Sequence, residues 1–146
     1  MDYRLFFKGD YIAAAEFQGK EPTLTIAAVK LVKLEDETGR LRDRGVVYFR
    51  ETDRGWVINR TNAECLVALW GRDTDGWAGK RVTLCATNVR LGTETTIGIR
   101  IKGSPDLAAP LDVVVKLPRK KPFTIRLLVT KAGPASAAER KPGEEG

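Results

Sequence analysis

The sequence predicts an all-β domain carrying one helix, and three observations lead there. Short runs of alternating apolar and polar residues recur between glycine, proline and aspartate clusters, as in a sheet of short strands. Only one stretch, residues 63–70, places apolar side chains at the i, i+3, i+4, i+7 spacing of a helix packed on one face. The chain of 146 residues is 42% hydrophobic and 30% charged, enough to close one core without disulfide or metal staples.

The elements follow in order. Residues 10–17 form a helix-compatible opening with Asp10 as its cap, read as a lid segment over residues 1–19. Residues 23–34 alternate at Leu24, Ile26 and Ala28 before apolar residues spread to both faces, which predicts a long, bent first strand. The charged stretch 35–44, with its turn glycine, reads as an exposed hairpin loop, followed by strands over 45–51 and 56–58. Thr61 with Glu64 three residues on makes a capping box. The helix it opens has Ala63, Leu66, Val67 and Trp70 on its apolar face and stops at Gly71. After a turn over 73–80, residues 81–87 and 95–101 give two more strands, the last alternating through Ile97, Ile99 and Ile101.

Three strands, a helix and two strands is the element order of an OB barrel, whose helix plugs one end. A five-stranded OB-like barrel is therefore expected over residues 20–103. Beyond it, residues 111–117 and 123–129 read as a C-terminal β-hairpin extension within 104–131, and 132–146 as a disordered tail poor in large apolar residues.

Composition narrows the chemistry. Histidine is absent, which removes the commonest general base and metal ligand, and Cys65 and Cys85 alone fall short of a four-ligand zinc site. Both cysteines are expected as buried thiols; no cofactor, metal or enzymatic activity is expected. Asp73 and Asp75 lack the spacing of a calcium loop, and the glycines around Lys80 do not make a phosphate-cradling loop. No apolar run reaches the roughly 20 residues of a membrane span and no signal-peptide pattern opens the chain, so a cytoplasmic setting without membrane contact is expected. Lys and Arg outnumber Asp and Glu by 25 to 19, which favours a polyanionic partner.

A family resemblance adds to this. The segments Gly19-Lys20-Glu21, Thr23-Leu24-Thr25-Ile26, Val47-Tyr48-Phe49, Ile58-Asn59-Arg60-Thr61-Asn62, Trp77-Ala78-Gly79-Lys80 and Ile99-Arg100-Ile101 resemble a family of small phage and prophage proteins akin in shape to phage single-stranded-DNA-binding proteins. The resemblance implies single-stranded DNA, or RNA, as partner, and a bacterial host cell as the setting.

An OB barrel binds oligonucleotides across its second and third strands and the flanking loops. The residues expected there are Arg42 and Arg44 from the first loop, Tyr48 and Arg50 from the second strand, Trp56 and Arg60 around the third, Arg90 from the fourth-to-fifth connection, and Arg100 and Lys102 from the fifth strand. Tyr48 and Phe49 point to opposite faces, and Tyr48 is the one chosen for base stacking. Trp56 serves either as a stacking platform or as a plug of the barrel end, whereas Trp70 belongs to the core and Trp77 pins its turn. The alternative is a protein-interaction module, a virion component or an inhibitor of a host protein, whose C-terminal hairpin pairs with a partner or with a second copy as a homodimer.

Overall fold

The computed structural model describes residues 11–131 apart from 18, 37 and 92, with only the backbone of 90 and 91. The lid residues 1–10 with Asp10, and the tail 132–146, lie outside the described residues. Within them the chain is mostly strand: β1 (Thr23–Glu35), β2 (Leu41–Phe49), β3 (Trp56–Val57), helix α1 (Arg60–Trp70), β4 (Arg81–Leu91), β5 (Glu94–Ser104), β6 (Leu111–Val115) and β7 (Phe123–Val129). Short 3-10 turns occupy Ala14–Phe17 and Thr74–Trp77. No helix among the described residues is long and apolar enough to cross a membrane.

All seven strands belong to one open sheet in the order β3-β2-β1-β4-β5-β7-β6. This corrects the expected five-stranded barrel: among the described residues β3 and β5 form no ladder, because β5 turns its other edge to β7. The hairpin is also no separate appendage. Val113 and Val115 of β6 and Leu127 of β7 are buried in the same core as Ile26, Phe49, Leu66, Leu84 and Ile101.

β1 organises the sheet by serving two ladders. Its first residues, Thr23 to Thr25, pair with β4, and from Ile26 onward it pairs with β2. Ile26 stands opposite Phe49 while Ala28 stands opposite Tyr48, so Ala27 is the extra residue of a bulge. The inserted residue shifts the side-chain phase by one, which keeps Leu24 and Ile26 before it and Val29 after it on the core side. Residues 79 and 80 close the gap: Gly79 N–H donates to the Ile26 carbonyl and Ile26 N–H to the Lys80 carbonyl, each at 2.8 Å.

The hairpin loop expected over 35–44 is shorter than that. β1 and β2 run on as a two-stranded arm to Glu35 and Leu41, leaving a turn of only five residues with Gly39 at φ 83°. Charged residues in a hairpin need only alternate to sit in a ladder, and here Lys33 faces Asp43 across it at 3.0 Å. Strands four and five also reach further than expected, to Leu91 and from Glu94.

α1 starts earlier than the capping box predicts. The Asn59 side chain accepts from Asn62 N–H at 2.9 Å, while Thr61 is buried and Glu64 bonds Arg60 instead. The buried stripe runs through Asn62, Cys65 and Leu66, turned slightly from the apolar face read in the sequence, with Trp70 half-buried against the core. Asn62 can sit inside because its amide donates to the Ile99 carbonyl at 2.9 Å. Trp77 is buried and its indole N–H donates to the Gly71 carbonyl at 2.8 Å, pinning its turn to the helix end.

The β5–β7 junction is parallel and only two pairs long, Gly103 with Leu128 and Ser104 with Val129. Hydroxyls reinforce it: Thr23, Thr83 and Thr130 form a chain of two 2.7 Å bonds joining β1, β4 and the end of β7. The backbones approach so closely that a Cβ on Gly103 would lie 1.8 Å from the Leu128 carbonyl oxygen. Gly103→Ala must therefore separate β7 from β5, with an expected loss of about 3 kcal/mol or more; denaturant unfolding checks this, with Gly39→Asn as a tolerated comparison at an open turn position.

Candidate nucleic-acid interface

The register of the β1–β2 arm sorts its charges by face. Arg42 pairs with Leu34, Arg44 with Val32, Val46 with Lys30 and Tyr48 with Ala28, so these eight side chains share one face of the arm, on which Val46 is fully buried, Arg44 and Tyr48 are half-buried and Lys30 and Arg42 are exposed. Arg50 continues the row past the bulge, its N–H donating to the Thr25 carbonyl at 2.9 Å. The acids of the arm's strands, Glu35 and Asp43, lie on the opposite face. One sheet face thus carries Lys30, Arg42, Arg44 and Arg50 together with one aromatic ring.

The ring has a defined seat. A Cβ on Gly55 would lie 2.5 Å from Val46 Cγ1 and 2.9 Å from Tyr48 Cε1, so the absence of a side chain there lets both residues lean across toward β3. The Lys30 ammonium stands 5.5 Å from the centre of the Tyr48 ring, a cation–π contact worth roughly 0.5–1 kcal/mol at an exposed site. Tyr48 is half-buried and Arg50 exposed.

Asp36, in the turn, reaches this face, and at the row's other end Glu51 accepts from the Thr25 N–H and hydroxyl, each at 2.7 Å. The Asp36 carboxylate accepts from Arg42 Nε at 2.6 Å, from the Thr38 hydroxyl at 2.6 Å and from the N–H groups of Thr38 and Arg40. The Thr38 hydroxyl and then the Arg42 guanidinium hold its pKa well below the ordinary carboxylate value. Asp36 thereby fixes both the turn and the direction of Arg42. Arg44 and Arg50 meet no carboxylate among the described residues.

The other residues expected at the interface sit elsewhere. Trp56 is 2% exposed and stacks on Phe49, with ring centres 6.2 Å apart at 20°, so it fills the core and offers no face to a base. Arg60 opens α1 and bonds Glu64 at 2.7 Å. Lys102 bonds Glu21 at 2.7 Å. Arg100 is half-buried near Cys65 and Cys85. Both belong to β5, which β1 and β4 separate from β2, so they do not join the arginines of the arm. Arg90 lies in β4 opposite Thr95, and its side chain is outside the described set. Arg54 is held by Glu16 and the Tyr11 carbonyl, tying the Ala14–Phe17 turn to the sheet.

Lys30 is the member that the sequence reading missed. Its signal was available: with the arm treated as strand, Lys30 falls opposite Val46 in the same row as Tyr48.

Burial raises the pKa of Cys65 to about 11 and also raises that of Cys85, so both thiols stay protonated at neutral pH. Among the described residues no cluster of three or more Cys, Asp or Glu side chains is placed to hold a metal ion. No family model, curated protein or solved structure matches the chain.

The Asp36 tether has a pH signature. A carboxylate with a depressed folded pKa contributes stability in full above its unfolded value, here 3.8, and loses it as pH falls from there toward the folded pKa. Asp36→Asn is expected to lower the melting temperature at neutral pH, and the gap to the wild type to close on acidification below that value. Thermal melts across the acid range check this.

Proposed function

We propose that the chain binds single-stranded nucleic acid, DNA before RNA, without sequence preference, along the face of β1 and β2 that holds Tyr48. The observation that carries the reading is the sorting of the arm: four cations and a tyrosine on one face, the strand acids on the other. Such binding needs cations spaced along the phosphates and a ring under a base, each stacking contact contributing roughly 1–3 kcal/mol. Tyr48 supplies the ring, with Lys30, Arg42, Arg44 and Arg50 around it.

The strand neighbours lend support. The order β3-β2-β1-β4-β5, with a helix between the third and fourth strands, is that of an OB barrel opened between its third and fifth strands. In that architecture the second strand and the first hairpin form the oligonucleotide face. The sequence resemblance points to phage or prophage replication or recombination as the setting. Binding rather than catalysis suits a chain without histidine whose two thiols are held protonated.

A second reading has its own observation. β6 ends the sheet and Val114 on it is 68% exposed, so another chain, a partner's or a second copy's, has an edge to pair with.

Titrating a labelled oligothymidylate by fluorescence polarisation tests the first reading. Four phosphate contacts give a slope of log affinity against log salt of about −3, and Arg44→Glu with Arg50→Glu removes about half of it. Arg60→Gln, away from this face, should bind as the wild type does. Absence of binding at low salt, or equal weakening by both changes, contradicts the reading; copurification of a protein with β6 intact, lost on Val114→Lys, favours the second.

A further inference from the structure

β5 and β7 touch only at Gly103–Leu128 and Ser104–Val129. Toward their N-terminal ends they leave between them a cleft of about 390 Å³, walled by Val89 and Thr87 of β4 and by Phe123 and Ile125 of β7, with Cys85 also lining it. Arg100 is the one charged side chain that lines this cleft.

The guanidinium there is unusual for this protein. Arg54 and Arg81, also sheltered, each meet a carboxylate, from Glu16 and Asp106. Arg100 meets none among the described residues; its Nη1 reaches the Ile99 carbonyl at 3.3 Å, and burial lowers its pKa from the ordinary arginine value. A cation taken partly out of water without a counter-ion costs stability, and an anion entering the cleft offsets that cost. Beside it, Phe123 is 40% exposed and presents an aromatic surface.

We propose that this cleft is a second binding site, for a phosphate joined to a flat heterocycle: a nucleotide, with its phosphate on Arg100 and its base against Phe123. The ligand class rests on the nucleic-acid reading above, while the site is separate from the arm, being built on β4, β5 and β7. Two sources supply that chemistry, the phosphorylated end of a strand and a free mononucleotide.

The cleft carries its own reporter, since Cys85 lines it half-buried while Cys65 is deeply buried. Alkylation of Cys85 in the full chain, followed by mass spectrometry at mildly alkaline pH, is measured with thymidine 5′-monophosphate, with 5′-phosphorylated and 5′-hydroxyl oligothymidylate, and with inorganic phosphate. Ligand at ten times its dissociation constant should slow the modification about tenfold. Protection by the mononucleotide identifies a free nucleotide as a ligand, and protection by the phosphorylated strand but not the hydroxyl one identifies a strand end. Arg100→Met should abolish protection and melt no lower than the wild type, because it removes an unpaired sheltered charge. Arg44→Glu with Arg50→Glu should leave mononucleotide protection intact, so the arm can fail while the cleft stands, and the reverse. The proposal is overturned if no nucleotide protects Cys85, if inorganic phosphate protects as well as the nucleotides do, or if Arg100→Met keeps protection or melts lower.

Discussion

The bulge at Ala27 is the constraint on which the rest of the molecule depends. A strand of thirteen residues cannot pair with β4 at one end and β2 along the remainder while keeping one face in the core, unless its phase is corrected where the partners change. One inserted residue makes that correction. It leaves Leu24, Ile26 and Val29 facing inward, and it fixes which residues of β2 share the face of Tyr48. Without the insertion one of the two segments would present its polar face to Phe49, Trp56 and Leu84. The common face of Arg44 and Tyr48 is thus a consequence of core packing.

The electrostatics divide along the same line. Several cations are matched with acids at the surface, such as Lys33 with Asp43, Arg126 with Asp112 and Lys102 with Glu21, and pairs this exposed contribute little to stability. Their effect is to neutralise one another. Arg44, Arg50 and Arg100 have no such acid among the described residues, and Lys30 stands over a tyrosine ring. The net charge of +6 is therefore less informative than the places where neutralisation fails. Arg44 and Arg50 on the arm and Arg100 in the cleft between β5 and β7 are among them, as are exposed cations such as Arg72 and Lys120.

Most strands and the helix were legible in the sequence, because alternation through Ile97, Ile99 and Ile101 and the helical spacing of Leu66 and Trp70 are local signals. The full length of the arm was not, since Leu41 is the single apolar side chain in residues 35–44, which therefore lack the alternation of a strand. Closure was illegible for another reason. Whether β5 meets β3 or β7 depends on a contact between Gly103 and Leu128, far apart in the chain, and no local pattern announces it. Trp56 was ambiguous until Phe49 was placed against it. The burial of Asn62 depends on the Ile99 carbonyl that accepts from its amide, a contact between distant elements that no local pattern shows. At the candidate interface, parity alone placed Arg42, Arg44, Tyr48 and Arg50 together, whereas Arg60, Arg100 and Lys102 needed three-dimensional neighbours to be separated from them.

The proposed function requires that a single-stranded oligonucleotide lie along the row of β1 and β2 that holds Tyr48. Mapping backbone and side-chain NMR shifts during titration with oligothymidylate tests it most directly. The expected result is that the Tyr48 ring, the Lys30 side chain and the Arg44 and Arg50 guanidiniums move together and saturably, while the Trp56 indole and the Arg60 side chain stay still. Shifts centred on α1 or on the Asp112–Arg126 face of the hairpin, with the Tyr48 ring unmoved, would contradict it.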